Sequence, residues 1–104
     1  MVREVVWSYE AAADLKALAE FIGKDSAFYS AAFVQEILDV SRSLDKFAER
    51  GRIVPELSSP EVRELLVREY RLIYSIEKSR LVILGLIHGK RDLKRLWDKE
   101  KRSN

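Results

Sequence analysis

The chain has 104 residues, 47% hydrophobic and 35% charged, a length and balance that suit a single globular domain over residues 1–104. With no cysteine and one histidine, it excludes disulfides, thiolate catalysis and Cys-ligated zinc. No apolar run nears the roughly 20 residues that cross a bilayer. The opening Met1–Trp7 lacks the apolar core and cleavage site of a secretion signal, so a cytoplasmic location is the expectation, with no membrane partner. The net charge of +2 hides an asymmetry. Residues 1–49 carry five Lys/Arg against nine Asp/Glu, and residues 50–104 carry fourteen against eight. Such a skew suggests a surface for an acidic partner, nucleic acid or protein; a solvated charged face is the plainer reading.

Val2 to Trp7 is β-branched and aromatic and predicts a first strand. Ser8 then offers a helix N-cap, with Glu10 and Asp14 near the positive end of the helix dipole. Ala11, Leu15, Leu18 and Ile22 form one apolar stripe, and Gly23 is a natural stop. Asp25 or Ser26 caps a second helix with the stripe Phe33, Ile37, Val40, Leu44 and Phe47, ended by Gly51. So short a join implies an antiparallel helix hairpin.

Arg52 to Pro60 holds two prolines and two serines and reads as an irregular connection. Val62–Val67 reads as a strand whose charges leave its register open. In the next strand Tyr70, Leu72, Tyr74 and Ile76 alternate with Arg71, Ile73 and Ser75. Glu77–Arg80 suits a hairpin turn. The unbroken apolar run Leu81–Ile87 suits a central strand covered on both faces, with Gly85 weakening it or admitting a close neighbour. Leu93, Leu96 and Trp97 are spaced for a helical turn in a charged tail. The order predicts an α+β fold: a strand, a helix hairpin, then a largely antiparallel sheet of about four strands in all.

The common catalytic templates fail. One histidine and scattered carboxylates make no metal site, and no cofactor is expected. No nucleophile elbow surrounds a serine, and no Gly-rich phosphate loop is present. What remains is a concentration of cations and aromatics: Arg63, Arg68, Tyr70, Arg71, Tyr74, His88, Lys90, Arg91, Lys94, Arg95 and Trp97. Arginines grip phosphate and aromatics stack on bases, and such groups can cleave RNA without a metal. Histidine is the one side-chain type whose ordinary charge change falls near neutrality, and the chain has one, His88. Each also has a structural reading. Tyr70 and Tyr74 suit core packing, Arg71 suits a solvated edge or an ion pair with Glu64 or Glu69, His88 suits a hydrogen-bonded strand end, and the charges of Lys90–Arg102 suit a solubilising tail.

The segments Glu10-Ala11-Ala12-Ala13-Asp14-Leu15, Tyr70-Arg71-Leu72-Ile73-Tyr74 and Ile87-His88-Gly89-Lys90-Arg91-Asp92-Leu93 occur in this order around a long second helix and a hydrophobic strand. Together they resemble the RelE/ParE toxin superfamily, over essentially the whole chain. The resemblance implies the toxin of a type II toxin–antitoxin pair, associated with plasmid stabilisation and growth arrest. It implies a cognate antitoxin whose acidic segment folds on binding, giving a hetero-oligomer, with the helix hairpin and a sheet edge as docking surfaces.

Two activities occur in the superfamily: cleavage of messenger RNA in the ribosomal A site, and poisoning of DNA gyrase. In the RelE-like pattern the strand arginine corresponds to Arg71 and the first tail arginine to Arg91, so an RNase would rest on Arg71, His88 and Arg91. The tail tyrosine of that pattern falls at Trp97, which has no ionisable hydroxyl, and its basic strand pair falls near Val62 and Glu64. Those departures favour the ParE-like branch, a gyrase-binding inhibitor without chemistry of its own. On that reading Arg68, Arg71, His88, Lys90, Arg91, Lys94, Arg95 and Trp97 are the candidate target contacts.

Overall fold

A computed structural model describes residues 2–102. Strand β1 (Glu4–Trp7) leads through Ser8 into helix α1 (Tyr9–Gly23), and the Ser8 hydroxyl accepts the Ala11 N–H at 3.1 Å as the expected cap. Ser26 caps α2 (Ala27–Ser43) in the same way, accepting from the Tyr29 N–H at 3.0 Å. The helices pair as a hairpin, pinned where the Ser30 hydroxyl donates to the Ala19 carbonyl at 2.6 Å. Leu15, Leu18, Ile22, Phe33, Ile37, Val40 and Leu44 turn inward as their spacing predicts.

The second helix ends earlier than expected. It stops at Ser43, not at Gly51, and a 3₁₀ turn follows over Ala48–Arg50. Ser41 and Ser43 donate their hydroxyls back to the Leu38 and Val40 carbonyls, and the last backbone bonds tighten to the three-residue spacing. The Asp45 carbonyl then accepts from the Arg3 N–H, drawing the chain towards β1. Phe47 therefore leaves the stripe and stands 63% exposed. Gly51 serves another purpose. Its N–H donates to the Tyr74 hydroxyl at 2.9 Å, and that hydroxyl donates to the Ala48 carbonyl at 2.7 Å.

The sheet gains a strand that the composition of residues 52–60 concealed: β2 (Arg52–Ile53), only two residues long. The others are β3 (Val62–Val67), β4 (Tyr70–Ile76) and β5 (Arg80–His88), in spatial order β1-β5-β4-β3-β2. All neighbours are antiparallel except β1 and β5. The α1–α2 hairpin covers one face, against Leu65, Val67, Tyr70, Leu72, Tyr74, Leu81, Ile83 and Leu86. The short helix α3 (Leu93–Glu100) and residues 54–57 cover the other, against Val62, Ile73, Leu84 and Ile87. This settles the register of β3: Leu65 and Val67 face the hairpin, while Val62 and Glu64 face the α3 side. Among the described residues no helix is long and apolar enough to cross a membrane.

A side chain at position 51 would put its Cβ 2.6 Å from the Glu64 carbonyl oxygen and 2.5 Å from the Tyr74 hydroxyl. Gly51→Ala is therefore expected to destabilise the fold by about 1–3 kcal/mol in urea denaturation. Gly23→Ala, whose Cβ meets only Ser30 at 3.8 Å, should be neutral or stabilising by up to about 1 kcal/mol.

Candidate functional site

Arg71 projects from β4 on the α3 face, where its cross-strand neighbours are Leu66 and Ile87. It is only 6% exposed and fully committed to carboxylates. Its Nε donates to Glu64 Oε1 at 2.6 Å, and its two terminal nitrogens meet Glu56 Oε2 and Oε1 at 2.8 and 2.7 Å. Glu64 is 4% exposed and also receives Arg52 Nε on Oε2 at 2.6 Å. Of the two partners expected for Arg71, Glu64 is present, and Glu56 from the connection before β3 stands where Glu69 was the other candidate. The four charges form a closed row, Arg52–Glu64–Arg71–Glu56, whose members neutralise one another. The hydrogen bonds from Arg71 hold the Glu56 carboxyl below its ordinary range, and both carboxylates raise the Arg71 guanidinium further. The row lies in a cavity of about 580 Å³ whose wall includes Pro55, Leu65, Leu66 and Gly89.

His88 occupies the opposite face. It pairs with Tyr70 across β4 and β5, and its ring meets the Tyr70 ring edge-on at 5.5 Å, with Phe33 of α2 beyond, also edge-to-face, at 5.3 Å from Tyr70. Its Nδ1 accepts the Lys90 N–H at 3.1 Å, which leaves the ring proton on Nε2 when the imidazole is neutral. Tyr70 is buried, and desolvation together with nearby Glu69 pushes its phenol above the usual range, so it stays protonated at neutral pH. Arg71 and His88 thus do not converge on one reacting centre.

The remaining cations gather on the last helix. Asp92 caps α3, accepting the Arg95 N–H at 3.1 Å, and Leu93, Leu96 and Trp97 bury its inner face. Lys94, Arg95 and Lys99 are left exposed, continuing from exposed His88, Lys90 and Arg91. Residues 88–99 carry five Lys/Arg and two Asp, and of the latter Asp92 serves the cap while Asp98 lies 3.5 Å from Lys94. This is the strongest uncompensated positive surface that the expected contacts form. Arg68 stands apart from it, in the tight turn between β3 and β4 at φ 55°, bound to Glu36 of α2 at 2.6 Å and to the Tyr29 hydroxyl. Trp97 is 5% exposed and belongs to the core beside Leu84 and Ile87, so no open face of it is offered to a base.

Two residues of structural weight escaped the sequence reading. Arg102 does not belong to a solvated tail: it is buried, donates to Asp14 at 2.7 and 3.1 Å and to the Leu84 carbonyl at 3.1 Å, and lies over the Trp97 ring. Glu56 carried no sequence signal, because its partner is 15 residues away and the intervening connection is irregular. Glu64 did carry one, as an acid between Val62 and Leu66 on one face of a strand paired with the arginine's own.

Comparison with known proteins places this frame. Residues 5–93 match the family model described as the ParE toxin of the type II toxin–antitoxin system parDE. A curated relative, Toxin RelE2 of Caulobacter vibrioides, is 30% identical over 89 residues, spanning 85% of this chain and 97% of its own. A solved structure titled as the chromosomal ParDE TA system from P. aeruginosa superposes with a TM-score of 0.70 at 22% identity, covering 84% of this chain and 96% of that one. At that identity the likeness speaks for the fold.

Arg71→Ala would leave buried Glu64 with only the exposed Arg52 as partner and is expected to cost about 3 kcal/mol in urea denaturation, whereas exposed Arg52→Ala should cost under about 1 kcal/mol. Acid sensitivity has a defined sign. Glu56 binds its proton less readily folded than unfolded, so its contribution is complete above its ordinary value of 4.5 and is lost as pH falls through the lower folded value. Glu56→Gln should flatten that part of the stability profile below pH 4.5 in pH-dependent denaturation.

Proposed function

This chain belongs to the ParE toxin family of type II toxin–antitoxin systems, and on that premise we propose that it acts by binding, as an inhibitor of DNA gyrase held in check by a cognate antitoxin. The observation that carries this reading is the separation of the candidate catalytic groups. Arg71 is neutralised on one face of the sheet, His88 meets Tyr70 edge-on on the other, and Trp97 supplies no ionisable group. Cleavage of RNA needs a base, an acid and free cations around one phosphate. Binding needs only a rigid charged surface. The exposed cations Lys90, Arg91, Lys94 and Arg95 offer such a surface, held by the buried side of α3.

The antitoxin of this proposal is an acidic chain that folds on this one. Its supports are the excess of cations in the second half and the exposed aromatics Tyr9, Phe21 and Phe28 on the helix hairpin. A second reading, ribosome-dependent cleavage of messenger RNA, is favoured by the name of the Caulobacter relative, Toxin RelE2.

Purified chain is expected to block gyrase supercoiling and leave cleaved DNA complexes, while translation extracts retain intact messenger RNA. The double change Lys94→Glu and Arg95→Glu lies on the exposed side of α3 and should raise the inhibitory concentration at least about tenfold without loss of the circular-dichroism signal. Unaffected gyrase together with cut messenger RNA would transfer the function to the second reading.

A further inference from the structure

The Arg71 cavity shows an anion site with its occupant built in. Glu64 engages the arginine from within the sheet: it is buried and meets both Nε and one terminal nitrogen, at 2.6 and 2.5 Å. Glu56 is a second carboxylate on the same guanidinium, gripping the outer prongs of the fork in two-pronged fashion. It reaches them from the irregular segment between β2 and β3, and its side chain is 35% exposed. Were Glu56 to swing into solvent, water would take its charge and the fork would face the cavity.

We propose that Glu56 is an internal plug in a carboxylate-binding pocket, and that an acidic side chain of the antitoxin takes its place on Arg71 when the two proteins assemble. This rests on the toxin–antitoxin reading above and names a contact within it. The chemistry selects a carboxylate. The two terminal nitrogens already hold a planar two-oxygen group of single charge, and an incoming Asp or Glu reproduces it. A phosphate would bring more charge to within reach of Glu64, which is locked between Arg52 and Arg71 and cannot withdraw. The rim fits a peptide as well. Leu66 stands 72% exposed beside Pro55, an apolar border for the residue flanking the acid. Exchange of one carboxylate for another conserves the ion pairing, so assembly proceeds without leaving a buried charge unpaired.

The test is titration calorimetry of the full chain with the antitoxin encoded by the neighbouring reading frame. Glu56→Gln removes the competitor from an exposed site and should tighten binding about tenfold. Changing the antitoxin's acids singly to Asn or Gln should find one whose loss weakens binding to the native chain about tenfold, and far less to Arg71→Lys with its fold verified by circular dichroism. In the complex, the Leu57 amide, now bonded to the Val54 carbonyl, should exchange hydrogen faster as the segment opens. Unchanged or weaker binding of Glu56→Gln, or no acid coupled to Arg71, overturns the plug while leaving the toxin–antitoxin pair intact. Absence of any complex with the native chain overturns the pairing itself. If Glu56→Gln gains affinity for a single-stranded RNA 12-mer instead of the antitoxin, the carboxylate assignment is wrong.

Discussion

A buried central strand must have its backbone hydrogen-bonded along both edges, and β5 meets that demand on one side only in part with another strand. β4 runs along the whole of one edge, but β1 pairs only from Arg80 to Ile83. The chain then leaves the sheet through Ser8, whose N–H takes the Ile83 carbonyl, and enters α1. Two charged side chains complete the edge beyond: Asp14 accepts the Leu86 N–H at 3.0 Å, and Arg102 donates to the Leu84 carbonyl. The two also bind each other. A β-bulge at Ile73/Tyr74 leaves Leu84 as the extra residue on β5, and this frees its carbonyl for the arginine. Gly85 admits the arginine, since a Cβ there would lie 2.7 Å from its terminal nitrogen. One pair thereby joins the first helix, the central strand and the C-terminal segment. It also closes the open edge with charge, which discourages pairing with a foreign strand.

The same economy of charge separates the two groups of cations. Arg71 and Arg102 are buried and each holds two carboxylates, so they contribute to architecture and little to the outward field. Lys90, Arg91, Lys94, Arg95 and Lys99 are exposed, with the carboxylates nearest in sequence tied to a helix cap, a single loose pair and, for Glu100, to Arg102. The long-range attraction of the basic second half therefore comes from the end of β5 and from α3. Salt at physiological strength screens such a surface within about 8 Å, so it acts at contact distance on a partner already docked by shape.

What was legible in the sequence follows from the range of the interactions. Caps and stripes act over three or four residues, and Ser8, Ser26, Leu15, Ile37, Leu93 and Trp97 did what their spacing implies. The alternation in Tyr70–Ile76 named the two faces of β4 correctly. The end of α2 was misread because Gly51 looks like a helix stop, whereas its smallness answers a close approach by Tyr74 and Glu64 from other strands. Strand β2 was hidden because two residues carry no periodicity. Glu56, Asp14 and Arg102 were invisible in their pairings, since each partner lies far along the chain and is reached only after the sheet has formed.

The period of two along a strand carries the functional consequence furthest. Residue 71 pairs with residue 87, so the side chains that share its face at this end of β5 belong to positions 87 and 89, and position 88 points the other way. Those positions hold Ile87 and Gly89, neither of which titrates. The sequence places Arg71 and His88 in neighbouring strands, but parity sends them to opposite faces. A histidine beside Arg71 would have to stand at 87 or 89, and the carboxylates already there, Glu56 and Glu64, are held by the guanidinium. Ile87 is part of the core under α3, and a polar ring there would disturb the packing that holds the basic helix in place. The chain that presents its cations on a rigid α3 is thus one whose strand arginine is paired with carboxylates and not with a histidine.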